Sequence, residues 1–406
     1  MQIFLAWPVS ILPVSSASNR GLTRQVEVPS AQQTKRVVSL DALRGFNFFW
    51  ILGGDGVMYA LDQMSTNKGP LISGVGHFLG LQFTHVPWNG LHFYDFIFPL
   101  FIFITGVAIV LSLPRLVERE GRARAHLRVL RRALLLYVLG LIYYGGIRHG
   151  WHDIRFMGVL QRIAICYLFA ALMFLNFNLR GLIAALVTLL VGYWALMTFV
   201  PLPGIGAGNF GPNNNLSDWI DARFLPGRLW DFSRDPEGLL STLPAIGTCL
   251  LGVFAGLLLR DIRLPPQAKS LWLIVAGVAL VLAGHLWALQ FPIIKRLWTS
   301  SFVLVTGGYS AILLGIAHQI VDVWGFKQRP VQVFVWIGAN AITLYFIDSI
   351  TGFEALAMRI VGGNIADFFD RVVTPGTGLL VGNLLGLVFV VALARFLYVR
   401  QIFLRV

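Results

Sequence analysis

Between residues 42 and 396 the chain repeats one pattern ten times: a run of about twenty mostly apolar residues, then a shorter polar connection. The runs are 42–62, 93–113, 133–147, 156–177, 181–200, 238–259, 270–290, 298–321, 331–352 and 377–396. Such runs are long enough to cross the hydrocarbon layer as helices, and they lack the strand-like alternation of a membrane barrel. Charged residues make up only 13% of the 406 residues, about half the share of a soluble globular chain, so a globular surface could not be covered. Mean hydropathy is +0.72. The expected fold is all-α: a polytopic membrane protein of about ten transmembrane helices, with the lipid bilayer as its first partner.

The net charge of +13 has a membrane explanation and excludes no simpler one. Seven arginines, Arg115, Arg119, Arg122, Arg124, Arg128, Arg131 and Arg132, gather in the connection 115–132. If that connection is cytoplasmic, so are both termini, and basic residues outnumber those on the other side about two to one, the usual bias. The loop at 83–92 and the long connection 201–237 then face outward. No nucleic-acid partner is needed to account for the charge. Residues 1–36, apolar then polar and irregular, read as a poorly ordered extension preceding one membrane domain over 37–406. Cys166 and Cys249 both fall in apolar runs and read as packing residues.

Polar groups inside apolar runs cost about 3 kcal/mol each, so they mark function or specific structure. Asp41 and Arg44 stand three apart on one helix face, suited to a helix-start pair or to an anion. Asp55 lies among Gly53, Gly54 and Gly56 at the outer end of the first run, where a turn or a close ligand approach both fit. His85, Trp88 and Asn89 form a polar-aromatic loop that leads into Asp95, one turn inside the second run. Asp95 can cap that helix, orient His85 or pair with Arg162. Gln161 and Arg162 follow Arg155 by about two turns, and a buried arginine demands an anion from protein or ligand.

The 201–237 connection is long enough for a lid or platform. Asp235 and Glu237 bring acid groups there, suited to a sugar, while Asp-Pro-Glu-Gly also reads as a helix start. Trp298 and Asn340 are further substrate candidates, Trp298 doubling as an interface anchor. His285 suits a satisfied core position. No HExxH, paired CxxC, GxGxxG, Walker A or GxSxG pattern occurs, so no metal site is expected.

These residues stand in segments that together resemble the heparan-α-glucosaminide N-acetyltransferase family, in its bacterial branch. The segments are SLDALRGF at 39–46, GGDG at 53–56, HVPWNGLHFYDFIFPLFIFITG at 85–106, RFMGVLQRIA at 155–164, DPEGLLSTLPAIGTCLLGVFAG at 235–256, LWTSSFVLVTGG at 297–308 and WIGANAITLY at 336–345. The resemblance implies transfer of an acetyl group from cytosolic acetyl-CoA to the amino group of a glucosamine across the membrane. It maps the family's active histidine onto His85 and its polar partner at the end of the first span onto Asp55. In the lysosomal enzymes the position of Asp55 looks like Asn, and Asp348 stands where they suggest a His, departures that fit either an altered tuning of His85 or a different acceptor.

The expected site is then His85, Asp55 and Asp95 for chemistry, Arg44, Arg162 and Gln161 for the CoA phosphates, and Trp88, Asn89, Asp235, Glu237, Trp298 and Asn340 for the acceptor. His85 could serve as base or as acetyl-accepting nucleophile. An amino sugar or envelope glycan is the expected acceptor and a bacterial inner membrane the expected location. Homo-oligomerisation is left open. The competing reading is a transporter or flippase that moves its substrate without CoA.

Overall fold

A computed structural model describes residues 37–404, apart from 67, 147–149, 232 and 327. The extension expected over 1–36 lies outside the described residues, as does the end of the run 133–147. The first span enters as α1 (Val38–Phe49), widens at Trp50–Gly54, and resumes as α2 (Asp55–Ser65). The break is set by Gly53, whose φ of 127° no L side chain adopts comfortably. The break leaves Asp55 at a fresh helix N-terminus, where the backbone dipole favours a carboxylate. After α3 (Pro70–Gln82), which the apolar runs did not foretell, the loop 83–92 leads into α4 (Phe93–Glu120).

The arginine-rich connection is helical rather than a loop. α4 continues to Glu120 and α5 (Arg122–Tyr143) begins two residues later, with only Gly121, at φ 84°, making the turn. The chain then runs through α6 (Val159–Asn176), α7 (Leu179–Phe199), the short α8 (Leu216–Phe224) and α9 (Thr242–Arg260). Next come α10 (Pro266–Trp287) and α11 (Ser300–Ala317), then α12 (Arg329–Ala339) and α13 (Ala341–Thr351). It closes with α14 (Phe353–Val361), α15 (Asn364–Val372) and α16 (Thr377–Val399).

Seven of these helices are long and apolar enough to cross a membrane; α12 and α13, bent by 75°, would make an eighth. The protein is thus an all-α polytopic membrane protein. The other two expected spans exist as helices: α1 and α2 are too short apart, and the first half of α5 is too basic.

α4 is the axis of the bundle. Most of its first eighteen residues are buried, and it lies closest to α9. That approach depends on two glycines: a Cβ on Gly106 would lie 1.9 Å from the Cys249 carbonyl oxygen, and one on Gly252 would lie 1.9 Å from that of Phe103. Small residues let backbones approach where lipid supplies no hydrophobic drive between helices. Cys166 and Cys249 are buried free thiols in this core. Because successive long helices alternate in direction, the loop 83–92, the start of α6, the start of α9 and the start of α11 all gather at one end of the bundle. The Arg122 end of α5 lies at the other.

Candidate active site

The site begins with how the loop 83–92 is tied down. The Phe83 ring lies 4.7 Å from Trp50 and 5.2 Å from Phe93, fixing the loop's entry against the break after α1 and the start of α4. Trp88 Nε1 donates to the Phe210 carbonyl at 2.9 Å, and the Arg234 guanidinium lies over its ring. Gly90 N–H donates to the Ile293 carbonyl at 2.9 Å. Three chain segments distant in sequence therefore hold one short loop.

Asp95 is the loop's hub. Its side chain is 1% exposed. One oxygen, Oδ2, accepts the backbone N–H of Val86 at 3.1 Å and of His92 at 3.2 Å, capping α4. The other, Oδ1, sits 2.8 Å from His85 Nδ1 and 3.1 Å from Lys295 Nζ. Lys295 Nζ also lies 3.0 Å from His85 Nδ1, closing a triangle. His85 keeps 54% of its side chain exposed, so its Nε2 edge is open while Nδ1 is held. A histidine fixed at one nitrogen by a buried carboxylate presents the other as a base or nucleophile.

Asp55 does not touch His85. Its Oδ2 accepts from Tyr94 Oη at 2.8 Å and its Oδ1 from the Gly56 N–H at 2.9 Å. The Tyr94 ring in turn stands 5.0 Å from the His85 ring. The structure thus brings Asp55 to the histidine through a tyrosine that the sequence reading passed over. Tyr94 and Asp95, adjacent at a helix start, point to different sides, one to Asp55 and one to His85.

The other expected residues divide. Asn89 is exposed in the same loop as the histidine. Asp235 and Glu237 are taken up by Arg155: its Nε and Nη2 meet the two oxygens of Asp235 at 3.2 and 2.9 Å, and Nη2 meets Glu237 Oε2 at 2.6 Å. The Tyr144 and Trp230 rings lie against that guanidinium from two adjacent sides, at 4.4 and 4.5 Å. These carboxylates are bound to the protein itself. Burial raises the Glu237 pKa, against the pull of Arg155.

Trp298 is 1% exposed rather than interfacial. Its Nε1 donates to Thr248 Oγ1 at 3.1 Å, its ring meets Phe98 and Phe302, and the Arg162 guanidinium lies 5.0 Å over it. Its backbone takes φ 52°, uncommon for a bulky residue, and donates N–H to the Lys295 carbonyl at 2.9 Å. A locked indole therefore anchors the turn that carries Lys295.

The expected phosphate ligands are separated by the fold. Arg44 pairs with Asp41 at 3.2 Å within α1. Arg162 is fully buried in the first turn of α6, at the same end of the bundle as His85, and donates to the Gly238 carbonyl and Ser241 Oγ. Gln161 Nε2 donates to the Arg155 carbonyl at 3.2 Å. Asn340 is buried at the bend between α12 and α13, its amide donating to the Trp336 carbonyl at 3.2 Å. Among the described residues no group of three or more His, Cys, Asp or Glu could hold a metal ion.

Beside Arg162 lies Asp221 of α8, also fully buried. Its Oδ1 accepts the Leu239 N–H at 2.8 Å and its Oδ2 has no hydrogen-bond partner. Burial pushes its carboxyl up to about 7, opposed by that N–H and by Arg162. A folded pKa above the unfolded value means that the native state binds the extra proton between about pH 4 and about pH 7. The stability this contributes is full below the unfolded pKa and is lost as pH rises through the folded one. We expect the Tm of the purified protein to fall between about pH 5 and about pH 8, and Asp221→Asn to flatten that slope. Differential scanning fluorimetry across that range checks it.

The fold and this cluster define a class: an all-α polytopic membrane protein with a histidine–carboxylate–lysine triangle at one end of its bundle. No family model matches the chain. It is similar to the human heparan-alpha-glucosaminide N-acetyltransferase, 29% identical over 323 residues, which is 65% of this chain and 48% of the human protein. The mouse enzyme of the same name is 28% identical over 324 residues, with the same shares covered. The chain is in this sense heparan-α-glucosaminide N-acetyltransferase-like, and it spans about half the length of the curated relatives it matches.

Proposed function

We propose that this protein is a transmembrane acyltransferase that moves an acetyl group from cytosolic acetyl-CoA to the amino group of an amino sugar or envelope glycan on the other side. The carrying observation is the half-exposed His85, held at Nδ1 by buried Asp95 and flanked by Tyr94, whose hydroxyl donates to Asp55. The named activity of the human and mouse relatives supports the reaction class. In the transfer, the acceptor amine forms a bond to the acyl carbon as the carbon–sulfur bond of the thioester breaks. His85 Nε2 takes the amine's proton, or carries the acetyl group first; the CoA thiolate leaves. Asn89, four residues on in the same loop, is exposed and available to an acceptor.

The arginines at the far end, Arg119, Arg122, Arg124 and Arg131 among them, are exposed and suit CoA phosphates or the cytoplasmic bias of a bacterial inner membrane protein with both termini inside. Arg162, being at the His85 end, is better suited to holding the 238–241 turn than to meeting a cytosolic cofactor. The 75° break at Asn340 is the observation that favours the transporter reading, since discontinuous helices line many transport sites.

Ligand stabilisation separates the two. Acetyl-CoA at about a hundred times its Kd should stabilise the native state by about 2.7 kcal/mol, visible as a raised Tm. No shift at saturating acetyl-CoA would count against the acyltransferase and for the transporter.

A further inference from the structure

His85 Nδ1 has two partners and can satisfy only one at a time. As N–H it donates to Asp95 Oδ1, 2.8 Å away; as a lone pair it accepts from Lys295 Nζ, 3.0 Å away. The Lys295–Asp95 pair, at 3.1 Å, persists in either case. Lys295 is held firmly enough to matter: it is largely buried, and its turn is closed by the Trp298 N–H and pinned by the enclosed indole.

We propose that Lys295 is a positioning residue that acts on acyl transfer through His85. Its ammonium places a positive charge beside the ring and gives the Nδ1 lone pair a donor, as Asp95 gives the Nδ1–H an acceptor, so that each neutral tautomer has a partner at Nδ1. The inference rests on the acyl-transfer reading for its use, though not for its test. With Nδ1–H on Asp95, Nε2 offers a lone pair to an acceptor amine. In the other neutral tautomer Nδ1 accepts from Lys295 and Nε2 carries the proton. A doubly protonated ring would place a second positive charge 3.0 Å from the ammonium, so that form is disfavoured relative to a protein lacking the Lys295 cation.

The groups that face the ring are few. Asp95 comes from α4 and Lys295 from the 288–299 turn; Tyr94 lies under the ring, with Asp55 of α2 behind it. His92 is turned to the Thr84 carbonyl. Glu237 and Arg296 act on Lys295 from farther away. Burial lowers the Lys295 pKa, and Asp95 opposes that shift without reversing it; the cation in the triangle rests on its 3.1 Å pair with Asp95.

The test reads the ring itself. Diethyl pyrocarbonate modifies neutral imidazole, and the half-exposed His85 is open to it. Carbethoxylation of the His85 peptide is followed by mass spectrometry against pH in detergent-purified wild type, Lys295→Met and Lys295→Arg. Loss of the cation should move the midpoint up by about one pH unit in Lys295→Met. Lys295→Arg, which keeps the charge, should stay with wild type. A Lys295→Met midpoint at the wild-type value overturns the proposal, and Lys295→Gln serves the same comparison should the Met variant not be recovered folded. The probe needs neither acetyl-CoA nor acceptor. Wild type that transfers no acetyl group would therefore refute the function while leaving the role of Lys295 to be judged by these midpoints.

Discussion

Replacing His85 by Ala should lower acetyl transfer by about a hundredfold to ten-thousandfold while leaving the fold intact, because removal of a positioned base or nucleophile forfeits that much. The side chain is 54% exposed and packs against Tyr94 rather than into the core, so its loss opens no buried cavity. Asp95 would then keep Lys295 and the two backbone N–H groups as partners. The check is initial rate with saturating acetyl-CoA alongside Tm: the account requires the rate to collapse and Tm to stay close to wild type. A His85→Ala protein that transfers at wild-type rate would remove His85 from the chemistry.

Asp95 behaves differently, since four donors converge on it. Asp95→Ala leaves a largely buried ammonium without its counter-charge and strips the N–H groups of Val86 and His92 of their acceptor. Breaking such a pair from one side costs about 3 kcal/mol, because the abandoned charge stays buried. We expect a clear drop in Tm together with loss of transfer. Asp95→Asn keeps one acceptor oxygen, so it should recover part of the stability and little of the rate. A pair of variants with unchanged Tm would show that the loop is not held by this carboxylate.

The bundle was largely readable from the chain, because twenty-residue apolar runs leave few alternatives in lipid. What escaped was local. The arginines of 115–132 suggested a loop, yet a single Gly121 suffices for the turn and arginine is a good helix former, so both helices extend through them. α3 escaped because its apolar stretch is too short to read as a span. At the site, His85 and Asp95 stand ten residues apart in one segment, and their meeting was foreseen as one of three roles for Asp95. Lys295 lies two hundred residues further on, and no spacing rule could join them. One signal was present: a Lys-Arg pair at 295–296 sits at the end of the bundle where the charge bias leaves few cations.

Asp235, Glu237 and Trp298 show the opposite difficulty. Acidic and aromatic residues in an external connection suit a sugar, but the same composition suits a buried arginine clamp. Only the hydrogen bonds of Arg155, with Tyr144 and Trp230 packed against its guanidinium, show which partner occupies these carboxylates here. Arg162 likewise lies within an apolar run by sequence, and it is the direction of α6 that puts it at the His85 end.

The most direct measurement separates the two sides of the membrane. Purified protein is reconstituted into sealed vesicles, with labelled acetyl-CoA confined to the compartment facing the arginine end and glucosamine to the other. The account predicts N-acetylglucosamine labelled in the acceptor compartment, with His85→Ala vesicles blank. Glucosamine that crosses unmodified, or wild-type vesicles in which no labelled product forms, would contradict it.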